Sequence, residues 1–406
     1  MKHLVIIGAV WPEPLSTAAG SRMLQIIALF QKQNFKVFFL SAAQKSAFSS
    51  NLADLHIETH QIELNSSTFD TIIKELNPEI VLYDRFMMEE QFGWRVTENC
   101  PNACTILDTE DLHFLRKARE KAFKQNRELQ FEDYFSTDFK REMAAILRCD
   151  LSLIISEYEM NLLQKVFQIN PAILFYLPFL TNSVLESDVS FGRRSHFVSI
   201  GNFLHEPNWQ TVLALKKCWN AIKKQLPEAE LHVYGAYIPE KAKQLHDKKS
   251  GFLIKGRAED VKNVFENARI LLAPIPFGAG LKGKLFDAMQ YGLPSITTTI
   301  GAEGMHQNLD WNGFITQNEA EFIEKAVVLY KDEQSWNDSQ KNGYAILNKV
   351  FQEKQFDVAF EGKINEIVLH LKNHRMQHYL GQILQHQTLQ STKYMSKWIE
   401  EKNKKQ

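Results

Sequence analysis

The sequence predicts an α/β protein made of two doubly wound, parallel-sheet domains that face each other across a cleft, followed by a helical tail. Three observations carry this. Short β-branched and aliphatic runs alternate with segments of helical period. The runs are apolar throughout, as strands covered by helices on both faces must be. At 406 residues the chain also exceeds what one hydrophobic core usually organises.

The first series opens with strands at residues 5–10 and 37–41, and between them Met23, Ile26, Ile27 and Phe30 fall on one helical face. Further strands are expected at 80–83, 105–107 and 153–155. The alternation pauses after Pro178, so residues 1–182 form the first domain and the polar stretch 183–195 the linker. It restarts at 197–201, and strands at 231–235, 252–256, 270–274 and 295–298 complete a second domain over 196–345. Residues 346–406 read as helix, with Phe351, Phe356, Ile364, Ile367 and Leu371 apolar. That is more than one domain needs as a cap, so part of this tail is expected to cross back over the first domain.

Composition removes several classes of function. Hydrophobic residues at 44% and charged residues at 23% are globular values, which excludes a disordered chain. Forty-seven Lys and Arg against 48 Asp and Glu exclude wholesale electrostatic binding of nucleic acid, so an anionic ligand has to be met locally. Cys100, Cys104, Cys149 and Cys218 lack the second close pair of a zinc set and read as reduced thiols. The opening apolar run stops at Trp11-Pro12, too short for a signal peptide, and no stretch approaches the ~18 apolar residues of a membrane span. The expectation is a cytoplasmic protein. His370, His374 and His378 share a helical face, but no nearby acid completes a metal site, and no metal is expected.

The most informative stretch is 273–294, a strand, a glycine-rich turn, a helix and a Gly-Leu-Pro exit into the next strand. Gly278, Gly280 and Gly283 remove side chains where a backbone would let a phosphate approach. The helix behind them aims free N–H groups and a partial positive charge at the same place. Lys282 and Lys284 add full charge, and Asp287, about one turn into the helix, is placed to accept hydrogen bonds from ribose hydroxyls.

This block resembles the donor-binding signature of GT4-like, group 1 glycosyltransferases, in the variant written Gly-Ala-Gly-x-Lys-Gly-Lys. Ile200-Gly201-Asn202-Phe203 with Pro207-Asn208-Trp209, Gly256-Arg257-Ala258-Glu259-Asp260, and Gly301-Ala302-Glu303-Gly304 resemble further turns of that family, in family order. The resemblance covers nearly all of 196–305. It implies the GT-B fold: two Rossmann-like domains, the second holding the nucleotide of a sugar donor and the first the acceptor. One departure stands out. The commoner family pattern carries two glutamates seven residues apart, and here Asp287 fills the second position and Ala279 the first.

In the first domain the resemblance is weaker and rests on 18–22 and 106–116. It implies that Gly20 and Arg22 close on the donor diphosphate, while Asp111 and His113 follow a buried strand at its ligand-binding end. His113 is a candidate for proton transfer, since imidazole titrates near neutrality. Arg116, Lys117, Arg119, Lys121, Lys124 and Arg127 make helix 112–130 basic, a candidate contact for an anionic acceptor or for the inner face of a membrane.

Taken together, the resemblance implies a probe-ready assignment. Lys282, Asp111 and His113 are the candidate catalytic residues. Gly20, Arg22, Gly201, Asn202, Gly235, Gly256, Arg257, Gly280, Leu281, Lys282, Lys284 and Asp287 are the candidates to bind a UDP- or GDP-sugar, without a metal or other cofactor and with retention at the anomeric carbon. The acceptor is open among glycan, lipid-linked glycan, protein and RNA. Two other readings stay open: a nucleotide-sugar epimerase or sugar phosphorylase on the same fold, and a scaffold that binds donor without turning it over. A dinucleotide-dependent oxidoreductase is disfavoured, because Gly8-Ala9-Val10-Trp11-Pro12 lacks the glycine fingerprint.

Overall fold

The computed structural model describes residues 2–184 and 186–404, with the backbone alone for 387–390. Two separate parallel sheets organise it. The first contains β1 (Lys2–Gly8), β2 (Phe35–Ser41), β3 (Glu58–Gln61), β4 (Ile80–Asp84), β5 (Cys104–Asp108), β6 (Leu151–Ile154) and β7 (Leu174–Tyr176), in the order β3-β2-β1-β4-β5-β6-β7. The second contains β8 (Ser195–Ile200), β9 (Leu231–Tyr234), β10 (Phe252–Gly256), β11 (Ala268–Ala273), β12 (Ser295–Thr298) and β13 (Gly313–Thr316), in the order β10-β9-β8-β11-β12-β13.

Strand order reverses between β1 and β4 in one sheet and between β8 and β11 in the other, where Leu4 registers with Ile80 and Leu271 with Val198. Loops diverge at such points and leave a crevice at the carboxyl ends of the strands. Both crevices face the seam between the domains: Gly283 from the second domain lies against Ala18 from the first, and Gly304 against Ser156.

The central strands form because nearly every residue can be buried; Leu4, Val5, Ile6 and Ile7 are fully so. Three strands escaped the sequence reading. Glu58–Gln61 is a polar edge strand with no apolar run, Leu174–Tyr176 has only three residues, and Gly313–Thr316 follows a loop rather than a periodic helix.

After the second sheet the chain pairs Gln352 with Thr181 and returns to the first domain. The helix Asp357–Leu369 inserts Phe360, Ile364 and Ile367 into the core beneath the first sheet, with Phe360 edge-on to Phe30 at 5.2 Å. Arg375 then pairs with Asp150 and donates to the carbonyls of Pro101 and Ala103, while His374 Nε2 lies 2.8 Å from the Asp150 carbonyl oxygen. The last helix, Tyr379–Asn403, packs across the helices Phe86–Asn99 and Thr137–Arg148, and its Glu400 pairs with the buried Arg95. Among the described residues no helix is long and apolar enough to cross a membrane.

Candidate functional site

The glycine-rich turn leaves β11 and enters the helix Gly283–Gln290, with Lys282 at the cap position and no side chain capping the helix. Behind it, Thr297 and Thr298 donate to the carbonyls of Ala273 and Ile275, which holds the turn's base to β12. Gly280 has φ +60°, a conformation that glycine adopts without the strain of a Cβ. A Cβ there would also lie 2.9 Å from that of Asp111, so the position is close-packed across the domain seam.

Two lysines are drawn into this turn. Lys282, 8% exposed, donates to the Gly280 carbonyl at 2.7 Å, and Lys284 donates to Asn208 Oδ1 at 2.7 Å. Burial lowers Lys282 to about 8, against the opposing pull of Glu303. Burial alone lowers Lys284 to about 7. Lys282 keeps Glu303, Glu159 and Asp111 as anionic neighbours, whereas Lys284 is desolvated with none, an arrangement that favours arrival of a negatively charged ligand. Asp287 is pushed up to about 7 by burial. Leu281 is a packed core residue beside the turn.

On the opposite wall, β5 ends in Asp108 and a strained exit in which Glu110 has φ +62°. Asp111 lies 2.7 Å from Arg116 Nε and 3.3 Å from His113 Nε2. Burial works to raise the Asp111 carboxyl, but Arg116 and His113 outweigh it and hold the group below the usual carboxylate range. Burial lowers His113 to about 4 despite the neighbouring Asp111, so the ring is neutral near pH 7, and it packs edge-on to Phe86. Across the seam, His205 is likewise lowered to about 4 by burial and the nearby Arg116. Asp111, His113, Arg116, His205 and Lys284 thus share one polar neighbourhood.

The nucleotide-side candidates are assembled differently. Gly201 and Gly235 serve close packing: a Cβ on Gly235 would lie 2.3 Å from the Gly201 carbonyl oxygen, and one on Gly201 2.6 Å from Asn208. Asn202 shapes the same turn, accepting from Leu204 N–H through its side chain and from Asn208 through its carbonyl. Gly256 has φ +92°, and Arg257 stacks at 4.5 Å on Phe48, a first-domain ring that also meets Tyr237. The Tyr237 hydroxyl donates to Glu13 at 3.1 Å, tying this corner to the loop after β1.

Arg22 does not reach the seam. It is 1% exposed, bonded through Nε and Nη2 to Asp108 and through Nη1 to the Leu177 carbonyl at 2.6 Å. Each of these bonds lies within the first domain, where the side chain braces β5 against the Leu177 carbonyl. Gly20 is also internal, lying 2.5 Å from the Glu13 backbone as measured from its would-be Cβ. The basic helix has a similar fate: Lys117 pairs with Asp138, Lys121 and Arg127 with Asp133, and Lys124 with Glu120. The three lysines stay more than half exposed in these pairs.

Several contacts at the site escaped the sequence reading. Arg119 makes a two-pronged pair with Glu303 at 2.8 Å on each arm and donates to the Gly278 carbonyl, bolting the domains together beside the turn. Phe123 against Phe277 and Phe179 against Phe286 add apolar contact along the same seam. Glu159, fully buried, accepts from Leu112 N–H at 3.0 Å and from Gly280 N–H at 2.8 Å. The only local sign in sequence for Glu159 is an acid soon after a buried strand, which also describes many surface residues.

Residues 194–332, which hold nearly all of the second sheet and its turns, match the family model described as glycosyl transferases group 1. No curated protein matches the chain in sequence. Among solved structures, sucrose-phosphate synthase from Thermosynechococcus elongatus is 12% identical, with a TM-score of 0.69 over 90% of this chain and 99% of that one. A glycosyltransferase from Rickettsia africae is 13% identical, with a TM-score of 0.65 over 90% of this chain and 98% of the other. HepE from Anabaena, solved with UDP and glucose, is 12% identical, with a TM-score of 0.68 over 89% and 99%. At these identities the likeness is one of fold, and the fold is GT-B.

Proposed function

We propose that the protein is a glycosyltransferase that moves a sugar from a nucleoside-diphosphate donor, bound mainly by the second domain, to an acceptor bound mainly by the first. The observation that carries this is the pair of desolvated lysines, Lys282 and Lys284, at the head of an uncapped helix behind a glycine-rich turn. Departure of a nucleoside diphosphate from an anomeric carbon builds negative charge on the phosphates and positive charge on the sugar. Fixed cations and N–H groups aimed at the phosphates stabilise that charge without reorganising at the moment of reaction.

Lys282 is assigned to the developing charge and Lys284 to the diphosphate. Asp287 takes the ribose, and Gly256 with Arg257 borders the base. Asp111 lines the acceptor side; His113, neutral near pH 7, serves there as a hydrogen-bond partner. Transfer is proposed to retain the anomeric configuration and to need no metal, with a glycan, lipid-linked glycan, protein or RNA as acceptor. UDP is the first nucleotide to try, because HepE was solved with it.

The test is thermal unfolding against UDP-, GDP-, ADP-, TDP- and CMP-sugars, with and without EDTA, since a ligand bound only by the native state raises Tm. A selective shift that survives EDTA and is lost in Lys282→Ala and Asp287→Ala supports the reading. Absence of any shift overturns it. Once a donor and acceptor are found, the anomeric configuration of the product checks retention.

A further inference from the structure

We infer that Glu159 of the first domain is the carboxylate that receives hydroxyl groups of the transferred sugar when the domains close. The inference rests on the glycosyltransferase reading and goes beyond it by naming the group that meets the sugar.

The turn 277–284 reads Phe-Gly-Ala-Gly-Leu-Lys-Gly-Lys and carries no acid of its own. Sugar hydroxyls are hydrogen-bond donors, and a carboxylate is the strongest acceptor a side chain can offer them. Glu159 brings one to this turn from the other domain. Its Oε1 is clamped between Leu112 N–H and Gly280 N–H, one from each domain, which fixes the plane of the carboxylate. Its Oε2 is buried and, among the described residues, has no hydrogen-bond partner.

A buried charged oxygen without a partner is costly, and native structures seldom keep one without a use for it. Here Oε1 anchors and Oε2 is left for a donor that the protein does not supply. Lys282 and Asp111 are the charged neighbours. Burial, then repulsion by Asp111, raises the carboxyl to about 7, with the two N–H groups and Lys282 pulling the other way.

The surroundings suit a ligand that enters by parting the seam. Gly280, Gly283 and Gly304 all abut first-domain atoms within 3 Å of where a Cβ would stand, so backbone of the second domain meets first-domain side chains directly. Glu159 itself lies in the short helix Glu157–Asn161, which runs directly into a π-helical turn at Leu162–Val166. Such turns are rare, and they frequently occur at functional sites.

The experiment compares wild type with Glu159→Gln, which keeps an oxygen for the two N–H groups and replaces the free oxygen by a donor. Dissociation constants are measured for UDP and UDP-glucose, or for the diphosphate and sugar forms of whichever nucleotide shifts the wild-type Tm, together with donor hydrolysis or transfer rates. The expected result is unchanged affinity for the diphosphate alone, loss of the added affinity due to the sugar, and a rate lower by roughly ten- to a hundredfold, the scale of one charge-assisted hydrogen bond.

Equal weakening of diphosphate and sugar nucleotide would make Glu159 a brace for the turn and overturn the inference, as would unchanged sugar affinity and rate. If Glu159→Gln does not fold, Glu159→Asp, which keeps the charge but withdraws it by one methylene, is read in the same way. A wild-type protein that binds no nucleotide at all refutes the glycosyltransferase reading, and this inference with it.

Discussion

Two helix starts face each other across the seam, and they are finished in opposite ways. In the first domain, the helix His113–Lys124 has its leading N–H groups capped from within: His113 and Phe114 donate to the two oxygens of Glu142, and Leu112 donates to Glu159. In the second domain, the helix Gly283–Gln290 has no side-chain cap and two desolvated lysines beside it. Both starts carry the same partial positive charge. One is neutralised by carboxylates of the chain itself, and the other meets no capping side chain. Position at a strand exit therefore does not decide how a helix start is finished; the side chains that reach it do.

The largest expected effect tests the first domain's half of that contrast. If Arg22 is a brace, Arg22→Ala strands the buried Asp108 carboxylate and lowers folding stability by about 3–5 kcal/mol, the usual result of removing one partner of a buried pair. Chemical denaturation reads this directly. An undiminished stability with a selective loss of nucleotide affinity would return Arg22 to the diphosphate and break the contrast.

Next comes Lys282→Ala, expected to reduce turnover by roughly a hundredfold or more, the scale for loss of one electrostatic donor. Stability should hold or rise, because a desolvated ammonium is removed. Wild-type turnover in this variant would sink the assignment of Lys282 to the developing charge.

A third effect is in pH. Lys282 near 8 and Lys284 near 7 lie below the ordinary lysine value. In the free protein both therefore lose protons on folding at alkaline pH, and their contribution to stability rises between about pH 7 and 10 as the unfolded chain deprotonates too. Asp287 and Glu159, raised to about 7, act the other way, their contribution falling as pH rises from about 4 to 7. An anionic ligand favours charged lysines, so binding above pH 7 must take up protons. Nucleoside-diphosphate affinity should fall by up to about tenfold per pH unit per lysine above its free value. Calorimetry in buffers of different ionisation enthalpy measures the uptake; binding without it would show that the lysines do not meet the phosphates.

The same contrast explains what could be read from sequence. The second domain's turn was legible because its glycines, lysines and helix start stand in consecutive positions, and adjacency in sequence supplied adjacency in space. The central strands were legible from their apolar runs; β3, β7 and β13 were not, being polar, very short or preceded by an irregular loop. The first domain's wall was largely hidden. Glu159, Glu142 and Arg119 act through partners 28 to 184 positions away. The partner of Arg22 was hidden in the same way, since Asp108 stands 86 positions on.

The smallest effect discriminates most finely, because it sets two buried glutamates side by side. Glu142 and Glu159 both accept backbone N–H groups at the start of the helix His113–Lys124, but both Glu142 oxygens are used and one Glu159 oxygen is not. Glu142→Gln keeps one acceptor and turns the other into a donor facing an N–H group. The expected cost is about one hydrogen bond, ~1 kcal/mol, visible as a lower Tm, with nucleotide and sugar affinities unchanged. If Glu142→Gln instead weakens sugar recognition as Glu159→Gln is expected to, then the wall responds as a unit and the free oxygen of Glu159 holds no special place. A loss confined to Tm leaves internal capping as the whole role of Glu142.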